Sequence, residues 1–503
     1  MTVQTVDHQA TSKIVEFYSG KSVLLTGTTG FLGKVVLWKL LKCCPDVDKI
    51  YLLIRPKRGQ EPTKRMMNLI SSKPFDTLNM GIDKIMAKLQ AVESDISRSD
   101  LALTTEDREM LCNKVNVVIH SAASVKFDAP LKDNLRDNVV GARGILDLCN
   151  NIRQLDCLVH VSTAYSNCNL TSIEERLVPL ERNFEKVFET IELLDEQDCQ
   201  KIGKSLCENR PNTYTYTKAM AEQFVCKNEG KFPIAIVRPS IVIPAYEEPL
   251  PGWVDNLNGL GGLTCMAAVG LLRTIDWNYY ATSDMVPVDY VANCLICAAH
   301  ETNKESAHKV RFYNMTSGNI KPISWGHMFE ELRASGVATP TEKILRPMIK
   351  VPKYKKANPF TLILTKYLSE LLFAYFLDML LVMLGRKKLL VKITRKMHHG
   401  YHVLRPFTTN EWTFHSDNVV RLASNLTETD KRMFKFDMAD FDWSKEAQAF
   451  WPGCRKFLLK DEPTERSYAL GRRRMFIVSV IHHVGLMLLM ILLIFVAKSL
   501  LVG

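Results

Sequence analysis

The chain has 503 residues, of which 47% are hydrophobic, with charges of both signs. That length exceeds one ordinary domain, and the composition excludes a disordered chain. The formal net charge of +11 favours anionic partners, but no recognition module accompanies the basic residues, so no nucleic acid is expected.

Residues 1–20 are read as a lead-in; Met1 to Lys13 is polar and lacks the apolar stretch of a secretory signal. From Lys21, β-rich and helical segments alternate. That rhythm predicts an α/β fold, a Rossmann-type doubly wound parallel sheet. The predicted strands are Ser22–Thr26, Lys49–Ile54, one ending near Glu93-Ser94-Asp95-Ile96, then Val115–His120, Leu158–Ser162 and Ile234–Arg238, with a helix over Lys34–Leu41. Residues 171–210 are rich in acids and lack sheet periodicity, and read as an insertion covering the sheet. Cys294-Leu-Ile-Cys297 supplies two of the four ligands a zinc site needs and sits in an Ala-rich helical run, so no metal is expected. Thirteen scattered cysteines suit a reducing compartment.

The alternation stops near residue 340, and 341–465 reads as a mostly helical unit. Within it, Phe360–Leu384 is apolar but contains Lys366, Glu370 and Asp378, which predicts a buried or interfacial helix and not a span. Thirteen Lys or Arg residues stand between Glu342 and Lys396 against three acids, which reads either as a solvated basic face or as one suited to a membrane surface or to CoA phosphates. Met475 to Ala497 is free of Asp, Glu, Lys and Arg. At about 1.5 Å per residue it crosses a hydrocarbon core of about 30 Å. Arg472-Arg473-Arg474 precedes it and only Lys498 follows, which predicts one C-terminal transmembrane helix over 475–497 with the bulk of the chain cytosolic. The expected division is therefore 1–20, 21–340, 341–465 and 475–497.

Gly27-Thr28-Thr29-Gly30-Phe31-Leu32-Gly33 joins the first strand to the first helix. A turn of this kind needs glycine for positive φ, for close approach to a pyrophosphate and for helix–strand packing. The second strand ends at Arg55, followed by Lys57 and Arg58, where an NAD site carries an acid; a basic residue suits the 2′-phosphate of NADPH. Asp95, with Ile96 beside it, is placed to accept from the adenine amino group. Ser121-Ala122-Ala123 follows the fourth strand, and its small residues let the backbone lie against the cofactor. Ser162-Thr163 ends the fifth strand, and Tyr214-Thr-Tyr-Thr-Lys218 follows. Spacing of four brings Lys218 onto the face of Tyr214, where an ammonium is expected to favour the phenolate. Thr163 or Ser162 supplies a hydroxyl for a substrate oxygen.

This order of motifs resembles an extended short-chain dehydrogenase/reductase. Further blocks resemble the fatty acyl-CoA reductase family: Thr26 to Lys34, His160-Val161-Ser162-Thr163-Ala164-Tyr165, Tyr214–Lys218, Val237-Arg238-Pro239-Ser240, Gly252-Trp253-Val254-Asp255-Asn256, and Asp284-Met285-Val286-Pro287-Val288-Asp289-Tyr290. The resemblance implies Tyr214 and Lys218 as the catalytic pair, with Thr163 the better fit for the hydroxyl. It also implies NADPH on the glycine turn and two-step reduction of long-chain acyl-CoA to fatty alcohol through an aldehyde. Phe373-Ala374-Tyr375-Phe376 stands where such proteins often carry a Pro-Ala step, a departure that bears on acyl-chain preference. The expected partners are acyl-CoA and membrane lipid, in the endoplasmic reticulum ahead of the peroxisome, and a homo-oligomer is compatible with the sequence. The alternatives are a sterol-type hydroxysteroid dehydrogenase or epimerase and an inactive NADPH-sensing protein.

Overall fold

The computed structural model describes residues 12–502 apart from Arg58, Glu305 and Ser306; at Lys204, Leu489, Leu492, Leu493, Val496 and 499–502 only the backbone is described. The strands in chain order are β1 (Val23–Thr26), β2 (Ile50–Ile54), β3 (Leu89–Glu93), β4 (Val117–His120), β5 (Cys157–Val161), β6 (Ser172–Ile173), β7 (Ile234–Pro239), β8 (Ile241–Ile243), β9 (Met285–Pro287), β10 (Arg311–Met315) and β11 (Thr413–Phe414). The chain divides into two compact units, each assembled from three separate segments.

The first unit is Met1–Leu250, Asp284–Pro322 and Trp412–Phe441. Its centre is a seven-stranded sheet in the order β10-β7-β5-β4-β1-β2-β3, parallel throughout. Strands β1, β2, β4, β5 and β7 are buried along their whole length. That explains their unbroken apolar runs, since helices cover both faces of a parallel sheet. Strand order reverses between β1 and β4, and in such sheets ligands bind beyond the carboxyl ends of the strands at that reversal. The predicted strands and the first helix, Phe31–Cys43, match to within a few residues.

Three features differ from the sequence reading. Strand β10, unanticipated, forms one edge; its Arg-Phe-Tyr-Asn-Met composition does not alternate, and Asn314 within it is tied by its side-chain amide to the His415 carbonyl at 2.7 Å. The acidic insertion is largely the helices Phe184–Leu193 and Glu196–Leu206, but it opens with β6, which pairs with β11 over two residues, too few to carry a period. Of the expected lead-in, residues 1–11 lie outside the described residues. The helix Lys13–Tyr18 buries Ile14 and Tyr18, and Ser12 Oγ donates to Asp430 at 2.5 Å, so this segment belongs to the first unit's core.

The second unit is Pro251–Ser283, Ile323–Glu411 and Asp442–Gly503, and it is mainly helical. Trp277 is fully buried, edge-on to Phe329 at 4.9 Å, with its indole N–H donated to the Pro352 carbonyl. Gly252 has φ +71°, and a Cβ there would lie 2.1 Å from the Ala449 carbonyl oxygen, so the Gly252–Asn256 block is a packing element. The boundary expected at residue 340 is not where the units part. Residues 251–283 leave the first unit early, and 412–441 return to it.

The predicted span over 475–497 lies within one helix, Glu465–Val502, although several of its side chains lie outside the described residues. Of the two positions expected for the apolar segment at 360–384, buried or interfacial, it does not take the buried one. It runs as helix Pro359–Leu364, a π-helical turn Thr365–Leu371 and helix Leu372–Met383. By length and composition these 25 residues are sufficient to cross a membrane, and only 11% of their most apolar stretch is buried.

Candidate active site

Strand register brings the motifs together. Thr26 of β1 lies beside His120 of β4, which lies beside His160 of β5. The glycine turn, the Ser121–Ala123 segment and Ser162–Thr163 therefore leave the same sheet edge side by side. Thr26 Oγ1 lies 2.9 Å from His120 Nδ1 and accepts the Ala122 amide at 3.0 Å, which fixes the start of the turn against the end of β4.

The turn is closed to side chains. Gly27 has φ +76°, and a Cβ there would meet Ala122 N and Ser121 C at 2.8 Å. A Cβ on Gly33 would lie 2.2 Å from the Gly27 carbonyl oxygen. Gly30 caps the helix Phe31–Cys43 without a side-chain acceptor, leaving the positive end of the helix to an outside anion. Thr29 and Gly30 are exposed, Phe31 and Leu32 half-buried, and Thr28 is buried. This cradle fits a dinucleotide pyrophosphate.

At the ends of β2 and β3, Arg55 Nη1 lies 3.7 Å from Asp95 Oδ1, while Asp95 accepts from the Ser97 amide and hydroxyl. The Ile96 carbonyl oxygen packs on Gly141, where a Cβ would lie 2.9 Å away. Arg65, not anticipated from the sequence, donates to the Arg55 carbonyl. Burial, and then the positive charge of Arg55, hold Arg65 below its usual range, a repulsion an anion would relieve. Asp137 faces the same groups, and burial raises its carboxyl. Lys57 pairs across a tight turn with Gln60, and Arg58 lies outside the described residues.

Tyr214 and Lys218 lie on the helix Thr213–Cys226, capped by Asn212 through the Thr215 amide. Burial pushes the Tyr214 phenol up to about 12, and its hydrogen bond with the Thr163 side chain pulls it back in part. The expected lowering of the phenol by the ammonium is not found. Lys218 Nζ instead donates to the Val161 carbonyl at 2.6 Å, at the end of the strand that precedes Thr163. Burial brings Lys218 down to about 8, opposed by the carboxylate of Glu222. Burial first, and then the Lys218 charge, hold His120 at about 3 and His160 well below its usual value, so both stay neutral.

Between the two candidate hydroxyls the geometry differs. Ser162 Oγ is committed to Glu222 Oε1 at 2.5 Å, whereas Thr163 is the one that meets Tyr214. Glu222 also forms a fully buried ion pair with Arg238 at 2.6 Å and accepts from Ser166. This network was missed from the sequence. Its signal was available: Glu222 continues the spacing of four begun by Tyr214 and Lys218, and Arg238 lies in the Val237–Ser240 block. Asn138 was also missed; it accepts the Ser124 amide at 2.8 Å and donates to Thr217 at 3.0 Å, binding the helix Thr213–Cys226 to the segment after β4. In the Asp284–Tyr290 block the two carboxylates are anchors. Asp284 accepts the amides of Ser317 and Gly318, and Asp289 those of Tyr246, Glu247 and Glu248. Cys294 and Cys297 are buried in the helix Val288–Asn303 with thiols raised by burial.

Comparisons with known proteins agree with this arrangement. The NAD-binding model of the male sterility protein family matches residues 25–295, and a second male sterility protein model matches 369–461. Fatty acyl-CoA reductase 1 of Rattus norvegicus is 37% identical over 450 residues, covering 89% of this chain and 87% of its own length. Fatty acyl-CoA reductase 2 of Homo sapiens is 35% identical over 451 residues, with 90% and 87% coverage. In fold, the chain resembles the terminal reductase domain of the myxalamid biosynthetic pathway, with TM-score 0.59, 20% identity, and 89% and 93% of the two chains covered. The reductase domain of a Mycobacterium tuberculosis nonribosomal peptide synthetase gives TM-score 0.58 at 15% identity, with 87% and 92% covered. With an NAD-binding sheet, a Thr-Tyr-Lys edge and relatives of this identity across nearly its whole length, the chain belongs to the fatty acyl-CoA reductase family.

Proposed function

We propose that this chain is an NADPH-dependent reductase that converts long-chain acyl-CoA to fatty alcohol through an aldehyde. The observation that carries the reading is the Tyr214–Thr163 hydrogen bond one helical turn from Lys218, on the sheet edge beside the glycine turn. The relatives' names supply the substrate class. Arg55 and Arg65 support NADPH over NADH, since two guanidinium groups suit a 2′-phosphate.

When bound, the cofactor supplies hydride to the carbonyl carbon. Thr163 and Tyr214 then present two hydroxyls to the developing oxyanion, and Tyr214 gives up its proton to it. Its phenol is held near 12, so it carries that proton at neutral pH. Lys218, through its bond to the Val161 carbonyl at 2.6 Å, holds the helix that carries Tyr214 against the end of β5. The hemithioacetal so formed expels the CoA thiol, and the aldehyde meets the same hydroxyls in a second round. Arg472-Arg473-Arg474 and the segment 475–497 anchor the chain in a membrane with the reductase unit on the cytosolic side.

Membranes carrying the full chain, given NADPH and a panel of acyl-CoAs, test this reading. The expected product is alcohol, with two NADPH oxidised per acyl-CoA consumed. Release of aldehyde as the end product, or turnover of sterols and not of acyl-CoA, would refute it.

A further inference from the structure

The helical segment Pro359–Met383 is amphipathic in the wrong sense for a water-soluble protein. Its buried stripe is Glu370, Ala374 and Asp378, spaced by four, and its open face is Phe360, Leu364, Leu368, Leu372, Phe376 and Met383. Leu368 and Leu372 are 58% and 59% exposed, while Glu370 between them is fully buried. The inward acids are satisfied. Glu370 accepts the amides of Arg273 and Thr274 and bonds to His398 at 2.5 Å, and Asp378 accepts those of Leu389, Leu390 and Val391. The helix is therefore fixed to its own unit by its polar side and turns about 37 Å of apolar surface, 25 residues at 1.5 Å each, away from it.

We propose that this face lies in the interfacial layer of a lipid bilayer, as a second membrane contact parallel to the surface. It does not span, because spanning would strip Glu370 and Asp378 of the backbone amides that hold them. Two observations select lipid. Lys355 and Lys356 precede the helix, Arg386, Lys387 and Lys388 follow it, and all five are exposed, which suits anionic headgroups at both ends. One short strap also ties this helix to the foot of the C-terminal helix: Arg474 donates to the Ile344 carbonyl at 3.0 Å, and Arg346 to the Ser369 carbonyl at 2.6 Å. The argument rests on the reading that 475–497 spans, since that places this foot at the membrane surface.

The test uses the full chain in vesicles of phosphatidylcholine and phosphatidylserine doped with a phospholipid bearing a photoreactive diazirine in its tail. Attached lipid is mapped by mass spectrometry, and a membrane-impermeant amine reagent is added outside. Lipid is expected on outward positions of 360–384 as well as on 475–497, with Lys355, Lys356, Lys387 and Lys388 all tagged from the outside. The double variant Leu368→Asp with Phe376→Asp, at exposed positions, is expected to cut attachment to 360–384 by about tenfold or more while 475–497 stays labelled. Lipid on 475–497 alone would overturn the proposal, as would tagging of only one lysine pair, the mark of a span. Absence of lipid from 475–497 would instead refute the anchor reading on which the proposal rests.

Discussion

A general acid must hold its proton at working pH and meet the atom that takes it. In the proposed mechanism that acid is Tyr214: burial raises its phenol to about 12, so it keeps its proton at working pH, and its bond to Thr163 sets it beside the second proposed hydroxyl. Tyr214→Phe keeps the ring and removes the proton. We expect acyl-CoA reduction to fall by at least ~10²-fold, the lower end for a lost general acid, with NADPH affinity unchanged in a fluorescence titration. Normal aldehyde reduction by this variant would place the second step elsewhere. Lys218 gives a pH prediction. Its pKa falls from the usual lysine range to about 8, so its charge is present below pH 8 and lost above it. The reductive kcat/KM should accordingly decline through pH 8, and a profile flat to pH 10 would remove the charge from the mechanism. At the ribose end, Arg55→Glu should weaken NADPH by about tenfold to a hundredfold relative to NADH. An unchanged ratio would assign the 2′-phosphate to Arg65 alone. Most of these residues were legible because the chemistry demands fixed spacing: glycines where no Cβ fits, and a tyrosine four residues from a lysine. What could not be read was direction. Lys218 is spaced to face Tyr214, yet its ammonium is spent on the Val161 carbonyl, a partner 57 residues away in sequence.

Elements carry their own constraints. The turn from β1 into the helix Phe31–Cys43 is a contact between backbones, with no side-chain volume to spare at Gly33. Gly33→Ala must move the helix off the turn, and should cost about 1–3 kcal/mol in thermal unfolding along with most of the cofactor affinity. A variant with wild-type affinity would show that the pyrophosphate does not sit there. The helix Leu390–Thr409 begins where Asp378 accepts three amides, so Asp378→Ala leaves its first turn without acceptors. We expect a loss of about 1–3 kcal/mol, read by denaturant titration. The same carboxylate bears on the segment at 360–384, for which the sequence left burial and an interfacial position both open. Hydropathy counts residues and not their partners, so the charged residues in an apolar run argued against a span but could not decide between a buried and an interfacial helix. The acids are what is buried, and the leucines are not. The seventh strand and the β6–β11 pair were hidden for a simpler reason: their registers depend on residues more than 70 and 240 positions apart in sequence.

At the scale of the whole molecule, the units are not consecutive lengths of chain. The alternation of strands and helices showed that a doubly wound sheet existed. It gave no sign that residues 251–283 step out of it or that 412–441 come back, because neither excursion disturbs local periodicity. The returning segment brings β11 to β6 and buries Phe414, Phe434, Phe436 and Phe441. This interleaving sets an order of events during synthesis. The glycine turn, Thr163, Tyr214 and Lys218 have all been made by residue 218, but the unit that holds them cannot close until Phe441 has left the ribosome. Until then β6 has no partner and the apolar surface awaiting those phenylalanines stays open to water. The hydrophobic stretch from Met475 follows only 34 residues later. Completion of the first unit and emergence of the segment proposed as the anchor are thus nearly simultaneous, and a nascent chain stalled anywhere before residue 412 is a client for a chaperone rather than a finished unit.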